Sequence, residues 1–283
     1  MTGIDPALIR RSFDAAAPTY DDHAVIQREV ADRLLDRLAM MKLEPQLVVD
    51  LGAGTGYCAR DLERRYRKAT VLLLDVAPGM LREASRHRRW RSRQRYAAAD
   101  ARALPLSDAS VDLVLSSLAF QWCDDLEPAF RECRRVLKPG GLLLFSTLGP
   151  DTLKELRAAY AVVDEMPHVN RFVDMHEVGD ALIRAGFSSP VLEREDLTAT
   201  YANVIDLMRD LKGIGAVNLH DERPRHLSGR ARLAAVIDAY EAFRRDGLLP
   251  AHYELVFGHG WVAPNARAQD GSSVFPLHRL TRR

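Results

Sequence analysis

The sequence predicts an α/β fold built on a largely parallel sheet with helices against it. Three observations predict it. Apolar runs of strand length recur at residues 47–51 (LVVDL), 70–75 (TVLLLD), 111–117 (VDLVLSS) and 142–148 (LLLFSTL), and they lack the polar alternation of a half-exposed strand. Amphipathic stretches of helical period, such as 78–89 and 126–137, lie between them. The first run ends in VVDLGAGTG, an acid followed by glycines at alternate positions, as where a strand turns into a helix whose amides face a ligand.

Taken in order, residues 11–34 form an amino-terminal helical segment, and the third strand begins after 95 and ends near Asp100. KPGG at 138–141 stops one helix and starts the next strand. Beyond 148 the pattern changes: 151–165 is helical, MHEVGDALIRAGF (175–187) is a helix closed by Gly186, and 204–246 is helix-rich with polar breaks near 218–228. These insertions form a helical cap over about 151–172 and 200–248. HYELVFGHGW (252–261) returns to the sheet, where VLERED (191–196) can pair with it. One domain spans 1–262, and 263–283, short and polar, is expected to be a flexible tail.

Composition narrows the class. The chain has 283 residues, 47% hydrophobic and 28% charged, with a formal charge of +1. That is a globular composition with no global electrostatic case for nucleic acid or a membrane surface. Cys58, Cys123 and Cys133 lack the spacing of a zinc site or a disulfide framework, so no metal is expected and a reducing, cytoplasmic setting fits. No apolar run has the length of a signal peptide core or a membrane span.

The glycine loop could serve a dinucleotide, a phosphate or an adenosyl group. A dinucleotide fingerprint needs glycine at position 57, which is Tyr57, and a phosphate loop needs Gly-Lys-Ser/Thr, which is absent. What stands here is Asp50, Gly52, Gly54 and Gly56, then Asp75 closing the second strand and Asp100-Ala101 near the end of the third. An acid at the end of the second strand suits a ribose diol, and acids beside bare backbone suit an ammonium-bearing nucleoside better than a polyanion.

That series resembles the class I S-adenosylmethionine-dependent methyltransferases over roughly residues 45–150, and the resemblance implies a Rossmann-like, seven-stranded, mainly parallel sheet. It also implies roles: Asp50 and Gly52, Gly54 and Gly56 for the methionine part, Asp75 for the ribose hydroxyls, Met80 against the adenine, and Asp100 with Ala101 at its edge. Further stretches narrow it: RSFDAAAPTYDDHAVIQREVADRL (11–34), SSLAFQWCDDL (116–126), STLGPDTLKELR (146–157), HVNRFVDMHEVGDAL (168–182), LMRDLKGIGAVN (207–218) and LPAHYELVFGHGW (249–261). Together these are similar to the malonyl-acyl-carrier-protein O-methyltransferases of biotin synthesis. Ala53 stands where many of those relatives carry cysteine, another small residue.

The resemblance implies methyl transfer to the free carboxylate of a malonyl thioester, carried by acyl-carrier protein or coenzyme A. Such a carboxylate is ionised at neutral pH and needs no general base. Because anion and sulfonium charges cancel during transfer, neutral donors are expected at the attacking oxygen, with any cation set back. Tyr20, Gln121 and Trp122 are the candidates for the first task. Arg171, and more weakly His168, both in HVNRF, are candidates for the second. For an acidic carrier protein, the cap cations Arg209, Lys212, Arg223, Arg225, Arg230 and Arg232 are better placed than RHRRWRSRQR (86–95), which falls at the opposite end of strands ~20 Å long. Two other readings share the core: a small-molecule or quinone methyltransferase, and a methyltransferase-fold respiratory complex assembly factor acting on a protein arginine. HVNRF favours the carboxyl enzyme over the latter.

Overall fold

A computed structural model describes residues 5–164, 166–216 and 229–264. The elements run α1 (Pro6–Ala16), α2 (Tyr20–His23), α3 (Val25–Ala39), β1 (Leu47–Leu51), α4 (Tyr57–Arg65), β2 (Thr70–Asp75), α5 (Pro78–Arg86), β3 (Gln94–Ala98), β4 (Val111–Ser117), α6 (Leu126–Val136), β5 (Leu137–Leu148), α7 (Lys154–Ala161), α8 (Met175–Arg184), β6 (Ser188–Tyr201), α9 (Val204–Gly213), α10 (Arg230–Glu241) and β7 (Leu249–Trp261). The seven strands form one sheet in the order β3-β2-β1-β4-β5-β7-β6. The first five are parallel, and β7 runs antiparallel between β5 and β6.

Strand parity explains why the runs are apolar throughout. Val48, Leu73, Leu113, Leu115, Leu142 and Leu144 face one layer, where α3 contributes Val30, Leu34 and Leu38 and α4 contributes Leu62. Their neighbours Val49, Leu74, Val114, Leu143 and Phe145 face the other, against Phe130 and Cys133 of α6 and Val178 and Leu182 of α8. Both faces are covered, as a parallel sheet requires.

Strand order reverses between β1 and β4, opening a crevice at the carboxyl ends of these strands, the position where such sheets bind ligands. Three caps fix helices around it: the side chains of Asp5, Asp125 and Asp174 accept from the backbone N–H groups of Ala7, Glu127 and His176.

Two local expectations shift. KPGG does not separate helix from strand: β5 already begins at Leu137, opposite Val111, and the register resumes only at Leu142 opposite Leu113. The residues between break register with β4, since Pro139 has no N–H to give it, while Gly140 and Gly141 bond to Val262 on the other side. The partner of the last strand is also longer than VLERED, because β6 pairs with β7 from Ser188 to Tyr201. Much of the tail expected over 263–283, from residue 265 onward, lies outside the described residues.

Candidate active site

Two cavities open side by side at the carboxyl edge. The first is bounded by Gly52, Gly54, Asp75, Met80, Asp100 and Ala101 among others. The second lies under the cap and includes Gln121, Leu156, His168, Asn170, Phe172 and Tyr253 in its walls. Phe13, Tyr20, Leu118 and Trp122 belong to both. A smaller recess joins the first at the glycine loop, where Asp50, Thr55, Arg28 and again Tyr20 line it. Tyr20 is thus the side chain at which all three spaces meet.

The glycine loop separates two tasks that the alternating pattern had run together. At Gly54, with φ +54°, an added Cβ would have nothing within 4 Å, so the missing side chain keeps the cavity itself clear. Gly56, with φ +79°, touches none of the three spaces; its Cβ would lie 3.1 Å from both Ala84 Cβ and Leu73 Cδ2. Gly56 therefore permits close packing at the start of α4 against Ala84 and Leu73.

The acids are placed by strand ends. Asp50, 1% exposed, has an Oδ2 with no hydrogen-bond partner among the described residues. Burial first, and the nearby Asp75 carboxylate next among the raising effects, push its carboxyl up to about 7, against a bond from the Ala59 backbone and the charge of Arg60. Asp75 accepts from the N–H groups of Gly54 and Ala77, each at 2.8 Å. Burial still lifts it to about 6. Each oxygen keeps a free lone pair for a diol. Met80, 1% exposed, forms an apolar wall. Asp100 lines the cavity too, but both its oxygens are held by Arg102, at 2.9 and 2.6 Å, and that guanidinium keeps its carboxyl below the usual range.

The amino-terminal helices roof the first cavity with Ile9 and Phe13. Phe13 stands edge-on to Trp122, with 5.2 Å between ring centroids. Three bonds hold the roof down: Ser12 Oγ donates to Gly215 O at 2.8 Å, Gly79 N–H donates to Asp14, and Thr55 Oγ1 donates to Asp21 at 2.7 Å. His23 adds a contact of 2.9 Å to Asp210 of the cap.

Sequence reasoning missed Arg28. It lines the recess beside Asp50, gives a 2.6 Å bond to the Asp21 carbonyl, and has no carboxylate partner among the described residues. Its signal was only one basic residue in an amphipathic helix.

Three substrate-side expectations change. Gln121 lines the second cavity, but its amide Nε2 donates to Leu118 O at 2.6 Å while its buried Oε1 has no partner among the described residues. The unpaired Oε1 adds an acceptor to the donor expected of Gln121, whose amide nitrogen still has a second N–H. Arg171 is exposed and lines neither cavity, although its neighbours Asn170 and Phe172 line the second. Residues 168–170 and Phe172 of this irregular segment line the cavity, and Arg171 takes the solvent side. His168 does line the cavity, stacked on Tyr160 at 3.9 Å with Asp164 2.9 Å from its Nε2; burial holds it below the usual imidazole range.

Of the cap cations, Arg209 and Lys212 are exposed, the former paired with Asp206. Arg232 is half-buried, paired with Asp164 and 3.3 Å from His168, and so is not a docking cation. Arg223, Arg225 and the side chain of Arg230 lie outside the described residues. The 86–95 run borders a separate hollow with Arg60 and Arg64, away from the two cavities.

Residues 49–145 match a family described as a methyltransferase domain. Over 280 residues, 97% of this chain and 94% of the relative, the sequence is 54% identical to a malonyl-acyl-carrier-protein O-methyltransferase from Methylovorus sp. strain MP688. The chain belongs to the malonyl-acyl-carrier-protein O-methyltransferase family. A second member, from Halorhodospira halophila, is 50% identical over 99% of this chain and 97% of its own. Among solved structures, the YcgJ protein of Bacillus subtilis superposes with a TM-score of 0.59 at 17% identity, covering 83% of this chain and 99% of that one, a likeness of fold. The matched span includes the glycine loop, where the first cavity and recess lie.

Among the described residues no group of three or more His, Cys, Asp or Glu is arranged to hold a metal, and no helix is long and apolar enough to cross a membrane.

Proposed function

We propose that the protein transfers the methyl group of S-adenosylmethionine to the free carboxylate of a malonyl thioester, giving the malonyl methyl ester. The relatives' names support the malonyl-acyl-carrier-protein substrate and the biotin link; malonyl-coenzyme A is proposed as an alternative carrier of the same acyl group. When bound, S-adenosylmethionine supplies an electrophilic methyl on a sulfonium. The first cavity and its recess fit that molecule. Met80 and the Phe13 roof give an apolar slot for a base, Asp75 has lone pairs free for a ribose diol, the orphaned Asp50 oxygen can face a cation, and Arg28 can meet a carboxylate.

One observation carries the choice of acceptor. The side chains shared by the two cavities are Phe13, Tyr20, Leu118 and Trp122, and none accepts a proton at neutral pH. Burial, with the charges of Asp75 and Asp21, holds the Tyr20 phenol far above its usual range, so it remains a neutral O–H donor. An amine, hydroxyl or carbon acid would need a base at this place; a carboxylate needs only orientation. Tyr20 then orients the attacking oxygen and Trp122 closes the wall. His168, backed by Asp164 and Arg232, holds the malonyl end from a distance in place of Arg171.

The test is direct. The protein is incubated with methyl-labelled S-adenosylmethionine and either malonyl-acyl-carrier protein, malonyl-coenzyme A or a quinone precursor, and the labelled product is identified. A base-labile methyl ester on the malonyl thioester is expected. Label only in the quinone precursor would overturn the reading.

A further inference from the structure

Two residues in the wall of the second cavity, Gln121 and Asn170, carry buried carbonyl acceptors with nothing to accept. Gln121 Oε1 and Asn170 Oδ1 both lack a hydrogen-bond partner among the described residues, and Asn170 is only 8% exposed. The rest of the wall is mostly apolar, including Ile26, Leu148, Leu156, Phe172 and Ile214. A buried acceptor left without a donor is costly, so two of them in one apolar cavity call for a ligand that brings N–H groups. Gln121 cannot supply a donor by turning its amide over. Its Nε2 is held at 2.6 Å by the Leu118 carbonyl, and rotation would set oxygen against oxygen.

The malonyl group cannot satisfy these atoms. A carboxylate, a thioester carbonyl and a thioether-like sulfur are all acceptors. The thiol arm that carries the malonyl group in acyl-carrier protein and in coenzyme A has, in contrast, two secondary amides. We propose that Gln121 and Asn170 are binding residues for those amide N–H groups, so that the enzyme reads the arm of its substrate as well as the acid at its end. This assignment rests on the malonyl-thioester reading. It moves Gln121 from the reacting oxygen to the carrier arm, and it makes the preference for pantetheine-type thioesters a property of the cavity, independent of contact with the carrier protein's surface.

The experiment uses malonyl-pantetheine and two analogues in which one or the other amide N–H is replaced by an ester oxygen. The wild-type enzyme should lose about tenfold or more in kcat/KM when a recognised N–H is removed, because the acceptor facing it is left unpaired. Gln121→Met and Asn170→Leu should each lose a comparable factor on malonyl-pantetheine itself and become indifferent to one of the two replacements. Calorimetry with S-adenosylmethionine checks that the variants are folded; the wild-type comparison needs no variant. Equal wild-type turnover of the amide and ester substrates, or variants that fall by the same factor on all three, would overturn the assignment while leaving the function standing. Absence of transfer to any malonyl thioester, by enzyme that still binds S-adenosylmethionine, would overturn the function and the assignment with it.

Discussion

The buried Asp50 carboxyl predicts that cofactor binding is a proton-linked event. Its carboxyl is raised from 3.8 to about 7 by burial, with the Asp75 charge adding to the shift, which corresponds to about 4 kcal/mol between its two protonation states. The folded protein without cofactor therefore binds a proton at pH 6 that the unfolded chain has released. Stability from this group is fully present below pH 4 and is lost as pH rises toward 7. A cation placed against the orphaned Oδ2 reverses the preference and drives the proton off. S-adenosylmethionine should then bind with release of nearly one proton at pH 6 and of few at pH 8, and its affinity should climb by up to about tenfold per pH unit below 7 before levelling. Calorimetry in buffers of different ionisation enthalpy counts the protons. Asp50→Asn should bind more weakly, release about one proton fewer at pH 6, and flatten the climb. Equal proton release by wild type and Asp50→Asn would refute the argument, since the titrating group would lie elsewhere.

Other outcomes follow from the same geometry. With both substrates saturating, single-turnover methyl transfer should stay level from about pH 6 to 9, and Tyr20→Phe should slow it without adding a slope; a tenfold rise per pH unit through neutrality would mean a general base and a different acceptor. Asp75→Ala should weaken S-adenosylmethionine binding by ~1 to 3 kcal/mol, read by calorimetry, with unaltered affinity removing Asp75 from the site. Gly54→Ala should impair cofactor binding more than stability, whereas Gly56→Ala, crowding Ala84 and Leu73, should lower the melting temperature first. For acyl-carrier protein docking, Lys212→Glu should raise KM for malonyl-acyl-carrier protein and spare malonyl-coenzyme A; equal effects on both would place docking elsewhere.

The parallel core was legible because burial on both faces forces long apolar runs, and those runs set the strand ends at which Asp50 and Asp75 sit. Motif spacing brought Gly52, Gly54, Asp75, Met80, Asp100 and Ala101 to one cavity for the same reason: loop and strand ends are local, so position along the chain fixes position in space. On the substrate side, composition pointed to the arginine of HVNRF because a charge is a conspicuous match for a carboxylate. Which residue of an irregular segment turns inward depends on tertiary packing, and the cavity received Asn170 and His168 while Arg171 took the solvent. Gln121 shows a finer limit. The sequence places its amide at the site, but the choice between its donor and acceptor ends belongs to a carbonyl three residues away, Leu118 O, and no periodicity encodes that bond. The packing at Gly56 was not legible, because a glycine that admits a helix and one that lines a cavity look alike until their neighbours are known.

The distribution of charge about the shared wall follows from the reaction it serves. Methyl transfer from a sulfonium to a carboxylate consumes a positive and a negative charge, so any group that binds either charge strongly at the reacting atoms stabilises the reactants more than the transition state. Phe13, Leu118, Trp122 and a protonated Tyr20 hold no charge there. Charged groups stand behind this wall on both sides: Asp50 and Arg28 in the recess on the cofactor side, and the His168, Asp164 and Arg232 cluster beyond the second cavity. The roof that supplies Phe13 and Tyr20 is tied to the cap by Ser12 and His23, so the amino-terminal helices and the cap together hold the neutral wall in place.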